Sequence, residues 1–275
     1  MTAPPPDPAR PRRPWLRHRV PIAGLLCVAV VSAGQPAAAE ETSGVPRLRL
    51  EILAEFPHDE TAYTQGLLWH DGALYESTGL YGESRLRRVG LGSERAEAER
   101  RLDARYFAEG LARVGDRLIQ LTYREGEAFV YDLESLEPRG ALRYEGEGWG
   151  LCYDGRGLYM SDGSAEIARR DPATFAVLER LPVTVDGRPL ASLNELECAE
   201  GWIYANVWQT DWIARIDPAS GTVVALVDAS PLRRRLGLPA GGDSVLNGIA
   251  YRPDTATFLL TGKNWPRLFE VIFVE

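Results

Sequence analysis

An all-β fold assembled from serial four-stranded units is predicted by three observations. A start motif recurs along the chain, a second apolar strand follows it at a nearly fixed distance, and no helix-period segment is long enough to cover a parallel sheet. The start motif occurs five times, as Gln65-Gly66-Leu67, Glu109-Gly110-Leu111, Trp149-Gly150-Leu151, Asn194-Glu195-Leu196 and Asn247-Gly248-Ile249. Its second residues lie 44, 40, 45 and 53 positions apart. Eight residues beyond that second residue an apolar strand resumes in four repeats, at Leu74-Tyr75, Leu118-Ile119, Leu158-Tyr159 and Ile203-Tyr204. In the fifth, Phe258-Leu259 comes two residues later. Turn residues separate the paired strands, as in His70-Asp71-Gly72, Gly115-Asp116 and Asp154-Gly155-Arg156-Gly157. Further strands such as residues 128–131, with hairpin turns at Asp171-Pro172-Ala173 and Asp217-Pro218-Ala219-Ser220-Gly221, complete each meander.

Meanders of this size in series are the signature of a β-propeller, so five repeats predict a five-bladed β-propeller of four-stranded antiparallel blades. Residues 47–52 alternate polar and apolar (Leu48, Leu50, Ile52), and the chain ends on the apolar residues 268–273. The N-terminal strand is expected to close the ring as the outer strand of the last blade, hiding its edge. The longer fourth gap contains Ser230–Leu236, expected as one short helix opened by Pro231.

The 275 residues, 45 % hydrophobic and 25 % charged with a net charge of −8, provide a full-sized core. They exclude a disordered chain and a nucleic-acid binder. Residues 1–39 read as a signal peptide: Arg10, Arg12, Arg13, Arg17 and Arg19 form a basic start, residues 20–33 an apolar run, and Ala37-Ala38-Ala39 a cleavage site. The apolar run is too short for a comfortable membrane span. An exported, soluble protein follows, periplasmic or secreted, with residues 40–275 as the catalytic domain and a mature charge of −12. Cys152 and Cys198 could pair in an oxidising compartment, but two cysteines make no framework and buried free thiols are expected. His58 and His70 are expected at the surface or in turns and are too few for a His-rich metal site. No G-x-S-x-G elbow is present.

In a propeller the innermost strands line a central channel, so equivalent repeat positions form rings. The residue opening each motif gives Gln65, Glu109, Trp149, Asn194 and Asn247. Five places after the start of each second strand come Gly79, Tyr123, Gly163, Trp208 and Lys263. Arginine supplies 30 of the 31 basic side chains, so Lys263, the single lysine, stands out. One carboxylate, one lysine, several carboxamides and aromatic walls at one mouth describe a small-ligand site. Glu109 in such a place can exchange protons near neutrality, while Lys263 and Asn194 can stabilise an oxygen that becomes negative. No Ser or Cys nucleophile lies in either ring, so the nucleophile is brought by the substrate or by water.

The motifs Tyr63-Thr64-Gln65-Gly66-Leu67, Tyr75-Glu76-Ser77-Thr78-Gly79-Leu80-Tyr81-Gly82 and Phe107-Ala108-Glu109-Gly110-Leu111 resemble those of the plant and bacterial glutaminyl-peptide cyclotransferases. So do Leu121-Thr122-Tyr123, Gly148-Trp149-Gly150-Leu151, Leu193-Asn194-Glu195-Leu196, Asn206-Val207-Trp208 and Leu260-Thr261-Gly262-Lys263-Asn264-Trp265, in order across the mature chain. The resemblance implies a five-bladed propeller that cyclises N-terminal glutamine of peptides or proteins to pyroglutamate with release of ammonia. It implies Glu109 as the catalytic carboxylate, with Lys263 and Asn194 completing the catalytic set. Gln65, Phe107, Tyr123, Trp149 and Trp208 are implied as substrate-binding. Tyr123 departs from the pattern, standing where a tryptophan is expected. Glu76 and Tyr81 are read as structural, and Trp265 and Asn247 as wall or support. No cofactor is needed for catalysis on this reading, a structural metal stays open, and a closed ring makes the monomer the default. Two alternatives remain: a calcium-dependent lactonase-like hydrolase using Glu109, Asn194 and Asn247, and a non-catalytic peptide-binding propeller.

Overall fold

The computed structural model describes residues 44–239 and 242–275; the signal peptide expected over residues 1–39 lies outside the described residues. Strand β1 (Arg47–Pro57) precedes a first meander, β2 (Thr64–His70), β3 (Ala73–Thr78), β4 (Arg85–Gly90) and β5 (Ala96–Arg101). The second comprises β6 (Ala108–Val114), β7 (Arg117–Thr122), β8 (Glu127–Asp132) and β9 (Pro138–Arg143). The third comprises β10 (Leu151–Tyr153), β11 (Leu158–Ser161), β12 (Glu166–Arg170) and β13 (Val177–Pro182), followed by a small hairpin, β14 (Thr184–Val185) and β15 (Arg188–Pro189). The fourth is β16 (Leu193–Ala199), β17 (Trp202–Val207), β18 (Trp212–Ile216) and β19 (Val223–Asp228). Helix α1 (Ser230–Leu236) then leads to the fifth, β20 (Leu246–Arg252), β21 (Thr257–Gly262) and β22 (Arg267–Val274).

Local chemistry accounts for the turns. Asp71 (φ 46°) and Gly72 (φ 82°) supply the left-handed pair that a two-residue hairpin between β2 and β3 requires. Asp171 Oδ1 accepts the N–H groups of Ala173 and Thr174 at 3.0 and 2.7 Å, and Asp217 Oδ1 accepts that of Ala219 at 2.9 Å, so both Asp-Pro-Ala segments are Asx turns. Helix α1 has Pro231 in its first turn and stops at Gly237, which takes φ 66°.

The first three meanders are separate four-stranded antiparallel sheets. The last two are joined through β1 into one eight-stranded sheet, ordered β16-β17-β18-β19-β1-β22-β21-β20. Against β22 the N-terminal strand runs antiparallel as predicted, with Leu50 opposite Phe273, Ile52 opposite Val271 and Phe56 opposite Leu268. Its other edge also pairs, parallel, with β19 (Leu48 opposite Val227), so β1 bridges two units instead of capping one. The core lies between sheets, in five clusters. Leu118 and Leu86 pack between the first and second units, Leu121 and Leu158 between the second and third, and Ile167 and Ile203 between the third and fourth. Ile213 and Ile249 pack between the fourth and fifth, and Leu67 and Leu259 between the first and fifth. The first strands touch in the cyclic order β2, β6, β10, β16, β20 and back to β2.

Three residues differ from the sequence expectation. Cys152 and Cys198 are bonded as a disulfide, because the adjacent strands β10 and β16 bring their Cα atoms to 5.4 Å. His58 is buried, not at the surface, because the segment before β2 is enclosed between β3 and the turn preceding β22. His58 Nδ1 lies 2.7 Å from the Trp265 carbonyl oxygen and Nε2 lies 3.0 Å from Glu76 Oε1. Thr64 Oγ1 donates to the same Glu76 oxygen at 2.6 Å, and Arg87 pairs with both Glu76 and Asp59. Glu76 is thus structural, as read. His70 ends β2 against the Asp71 turn, partly buried.

Candidate active site

The start motif marks a break in strand pairing. Register between first and second strands slips between Thr64 and Gly66, Ala108 and Leu111, Leu193 and Leu196, and Leu246 and Ile249. Gln65, Glu109, Asn194 and Asn247 sit at these slips, and Trp149 immediately precedes β10. A bulge leaves residues out of the ladder and re-aims their side chains. Glycine in the second motif position has a packing cause. A Cβ on Gly66, Gly110 or Gly150 would lie 2.6, 2.5 or 2.1 Å from the backbone of Leu111, Leu151 or Asn194 on the next unit.

These bulges open on one cavity of about 140 Å³, lined by Gln65, Phe107, Glu109, Tyr123, Trp149, Asn194, Trp208 and Lys263, together with Tyr63. Every residue nominated as catalytic or substrate-binding lines it, whereas Asn247 does not. Tyr63, two residues before Gln65 and just ahead of β2, was missed. Gly79 and Gly163 line nothing; they seat aromatic rings. A Cβ on Gly79 would lie 2.3 Å from Phe107 Cε1, and one on Gly163 would lie 2.7 Å from Trp149 Cη2. Trp149 meets Trp208 edge-on at 5.5 Å, forming one wall. Phe107 forms the other with Tyr63 and Tyr123, at centroid distances of 6.2 and 5.8 Å, and Tyr81, outside the lining, packs on Phe107 at 5.4 Å. Tyr123 is held at the rim by Arg124, which stacks on its ring at 4.4 Å and donates to its hydroxyl at 2.8 Å. Trp265 is support: it is fully buried beneath Gly262 and donates Nε1–H to the Ser244 carbonyl.

The polar groups are sparsely satisfied. Glu109 is buried and accepts one side-chain hydrogen bond among the described residues, from Gln65 Nε2 at 3.0 Å. Gln65 is oriented in turn by Asn247 Nδ2, which donates to Gln65 Oε1 at 3.1 Å and to the Thr64 carbonyl at 2.9 Å. The Asn194 side chain has no hydrogen bond among the described residues, and its Oδ1 is completely buried. Lys263 is buried, with Nζ 4.7 Å from the Tyr63 ring centroid and, among the described residues, no carboxylate within ion-pair distance. Burial pushes the Glu109 carboxyl well above the usual range; Lys263 opposes this, and Glu147 and Glu125 add to it. Burial also lowers Lys263, against the pull of Glu109 and Asp243. Such a cavity can move a proton at Glu109 and stabilise a developing negative charge at Lys263 and Asn194.

Fold and site together describe a small-substrate enzyme with no Ser or Cys nucleophile among the described residues that line its cavity. The glutamine cyclotransferase family model matches residues 24–273. A curated glutaminyl-peptide cyclotransferase of Arabidopsis thaliana is 42 % identical over 226 residues, which cover 81 % of this chain and 70 % of that protein. The crystal structure of Myxococcus xanthus glutaminyl cyclase matches with a TM-score of 0.79 at 43 % identity, covering 84 % of this chain and 98 % of that one. The chain belongs to the glutamine cyclotransferase family.

Proposed function

We propose that this cavity cyclises an N-terminal glutamine of peptides or proteins to pyroglutamate and ammonia. The observation that carries the division of labour is the meeting of Glu109, Lys263 and the unbonded Asn194 carboxamide around one aromatic-walled space. The nucleophile is the substrate's α-amine, whose pKa near 8 leaves a useful neutral fraction at neutral pH. Phe107, Tyr123, Trp149 and Trp208 fold the side chain back so that the amine faces the γ-carboxamide carbon. As the new N–C bond forms, Glu109 takes the amine proton, and the carbonyl oxygen becomes an oxyanion facing Lys263 Nζ and Asn194. The tetrahedral centre then collapses, the C–NH2 bond breaks, and Glu109 returns the proton to the departing nitrogen, releasing ammonia. Gln65 holds Glu109 in place and contacts the substrate's polar groups. No metal is needed: a lysine in the same small cavity as its one carboxylate opposes a divalent cation, which disfavours the calcium-dependent alternative.

The same reading makes the five meanders the blades of a five-bladed propeller closed through β1, supported by the cyclic contacts of the first strands and the five inter-sheet clusters. Residues 1–39 are the export signal, residues 40–275 the catalytic domain, and the mature protein works as a monomer in the periplasm or outside the cell. The Cys152–Cys198 disulfide fits an oxidising compartment. The test is ammonia release from a glutamine-initiated dipeptide by wild type and Glu109→Gln. Release by the former and its near loss in the latter support the scheme; a non-catalytic peptide-binding propeller would release none.

A further inference from the structure

A second carboxylate lies beside the cavity with no part in the chemistry above. Glu195 follows Asn194 on β16 and has no exposed surface. Its Oε1 accepts the backbone N–H of Leu67 at 3.3 Å and its Oε2 that of Ile249 at 2.9 Å. These donors stand on β2 and β20, two residues beyond Gln65 and Asn247 respectively. Asn247 Nδ2 bonds Gln65 Oε1, and Gln65 Nε2 bonds Glu109 Oε1. A continuous relay therefore runs from Glu195 through two backbone segments, Asn247 and Gln65 to the carboxylate of Glu109.

Glu195 occupies the motif position that is glycine in the other four repeats. Gly66, Gly110 and Gly150 leave no room for a Cβ against the neighbouring backbone, as their distances show. The fourth repeat alone carries a side chain there, and that side chain offers two acceptors to the neighbouring strands β2 and β20. The relay also has a direction. With the Asn247 donor fixed on Gln65 Oε1, the Gln65 amide must present N–H to Glu109; reversed, it would set two NH2 groups against each other and a carbonyl against the carboxylate. An N–H donated to a carboxylate favours its charged form.

We propose that Glu195 is a positioning residue for cyclisation, which pins the strands bearing Gln65 and Asn247 so that the Gln65 amide holds Glu109 in its working orientation. This rests on Glu109 being the proton-transfer group. The groups that act on Glu109 besides Gln65 are Lys263, Glu147 and Glu125, and Glu195→Gln leaves all three in place. Glu195→Gln keeps the volume but turns an NH2 toward one of the two backbone N–H donors, breaking one bridge.

The experiment measures kcat and KM against pH for wild type, Glu195→Gln and Glu197→Gln. Glu197 is the control, a carboxylate on the same strand that accepts the Tyr251 N–H at 2.9 Å and has no bond to the relay. For Glu195→Gln, kcat is expected to fall about tenfold or more with KM little changed, since orientation and not affinity is lost. The acidic limb of its kcat profile is expected to move to higher pH, while that of Glu197→Gln stays with wild type. A folded Glu195→Gln enzyme with an unmoved limb and undiminished kcat, whatever its melting temperature, overturns the proposal. If Glu195→Gln fails to fold, Asn247→Leu breaks the relay one step nearer Glu109, and an unmoved limb there overturns the proposal equally. Activity retained by Glu109→Gln would sink the underlying catalytic reading instead, a separate result.

Discussion

Glu109 and Lys263 are each buried without a charged partner in contact among the described residues, which is costly unless a substrate completes the site. Replacing Glu109 with Gln preserves shape but removes the proton acceptor, and turnover is expected to fall at least a hundredfold, with circular dichroism unchanged. Because the Glu109 carboxyl is raised, activity should decline on the acidic side at a pH above that of an ordinary carboxylate, measured as kcat against pH. At this scale the sequence was most informative where repeats constrain one another. Gln65, Glu109, Trp149 and Asn194 could be read because equivalent positions in a repeating meander must converge, and the bulges at Gln65, Glu109 and Asn194 are the physical form of the motif. Tyr63 escaped because only repeat-equivalent positions were followed, and it lies ahead of the strand that carries Gln65. Glu195 was quoted only as part of a motif, since a residue in a glycine slot acquires meaning only when the strands across from it are known. His58 was misplaced because burial of a polar side chain beside a turn is decided by distant partners, here Trp265 and Glu76.

Between elements, stability resides in the inter-sheet clusters and in the joins of first, last and neighbouring units. Leu118 is fully buried between the first two units, so Leu118→Ala should cost roughly 2–5 kcal/mol in denaturant unfolding. The disulfide joins β10 to β16 across 46 residues of sequence, and Cys152→Ser should remove roughly 2–4 kcal/mol, which reductant should mimic in wild type. The histidine cluster predicts a pH effect. Burial alone would lower His58, but the Glu76 carboxylate and the Trp265 carbonyl outweigh it and the net shift is upward. With both ring nitrogens facing acceptors, the imidazolium is the form that fits. Its stabilisation is complete below the unfolded value of about 6.5 and is lost as pH rises through the higher folded value. The melting temperature should therefore fall across that alkaline window in wild type and change less in His58→Gln. Strand pairing in sequence order was legible from alternation and turns; the parallel contact of β1 with β19 was not, because it joins chain segments that no local pattern relates.

For the whole molecule, a family shared with a plant and a bacterial enzyme at similar identity, and a site assembled from all five units, make the arrangement of those units the carrier of function. The proposed ring explains why a small cavity can recruit a carboxylate, a lysine, two carboxamides and five aromatic side chains from positions as distant in sequence as Gln65 and Lys263. The most direct measurement is ammonia release from a glutamine-initiated dipeptide by the mature protein, run with a chelator and with Lys263→Ala. The account predicts that release proceeds undiminished in chelator and collapses in the variant. Release that stops with the chelator, or persists without Lys263, would contradict it.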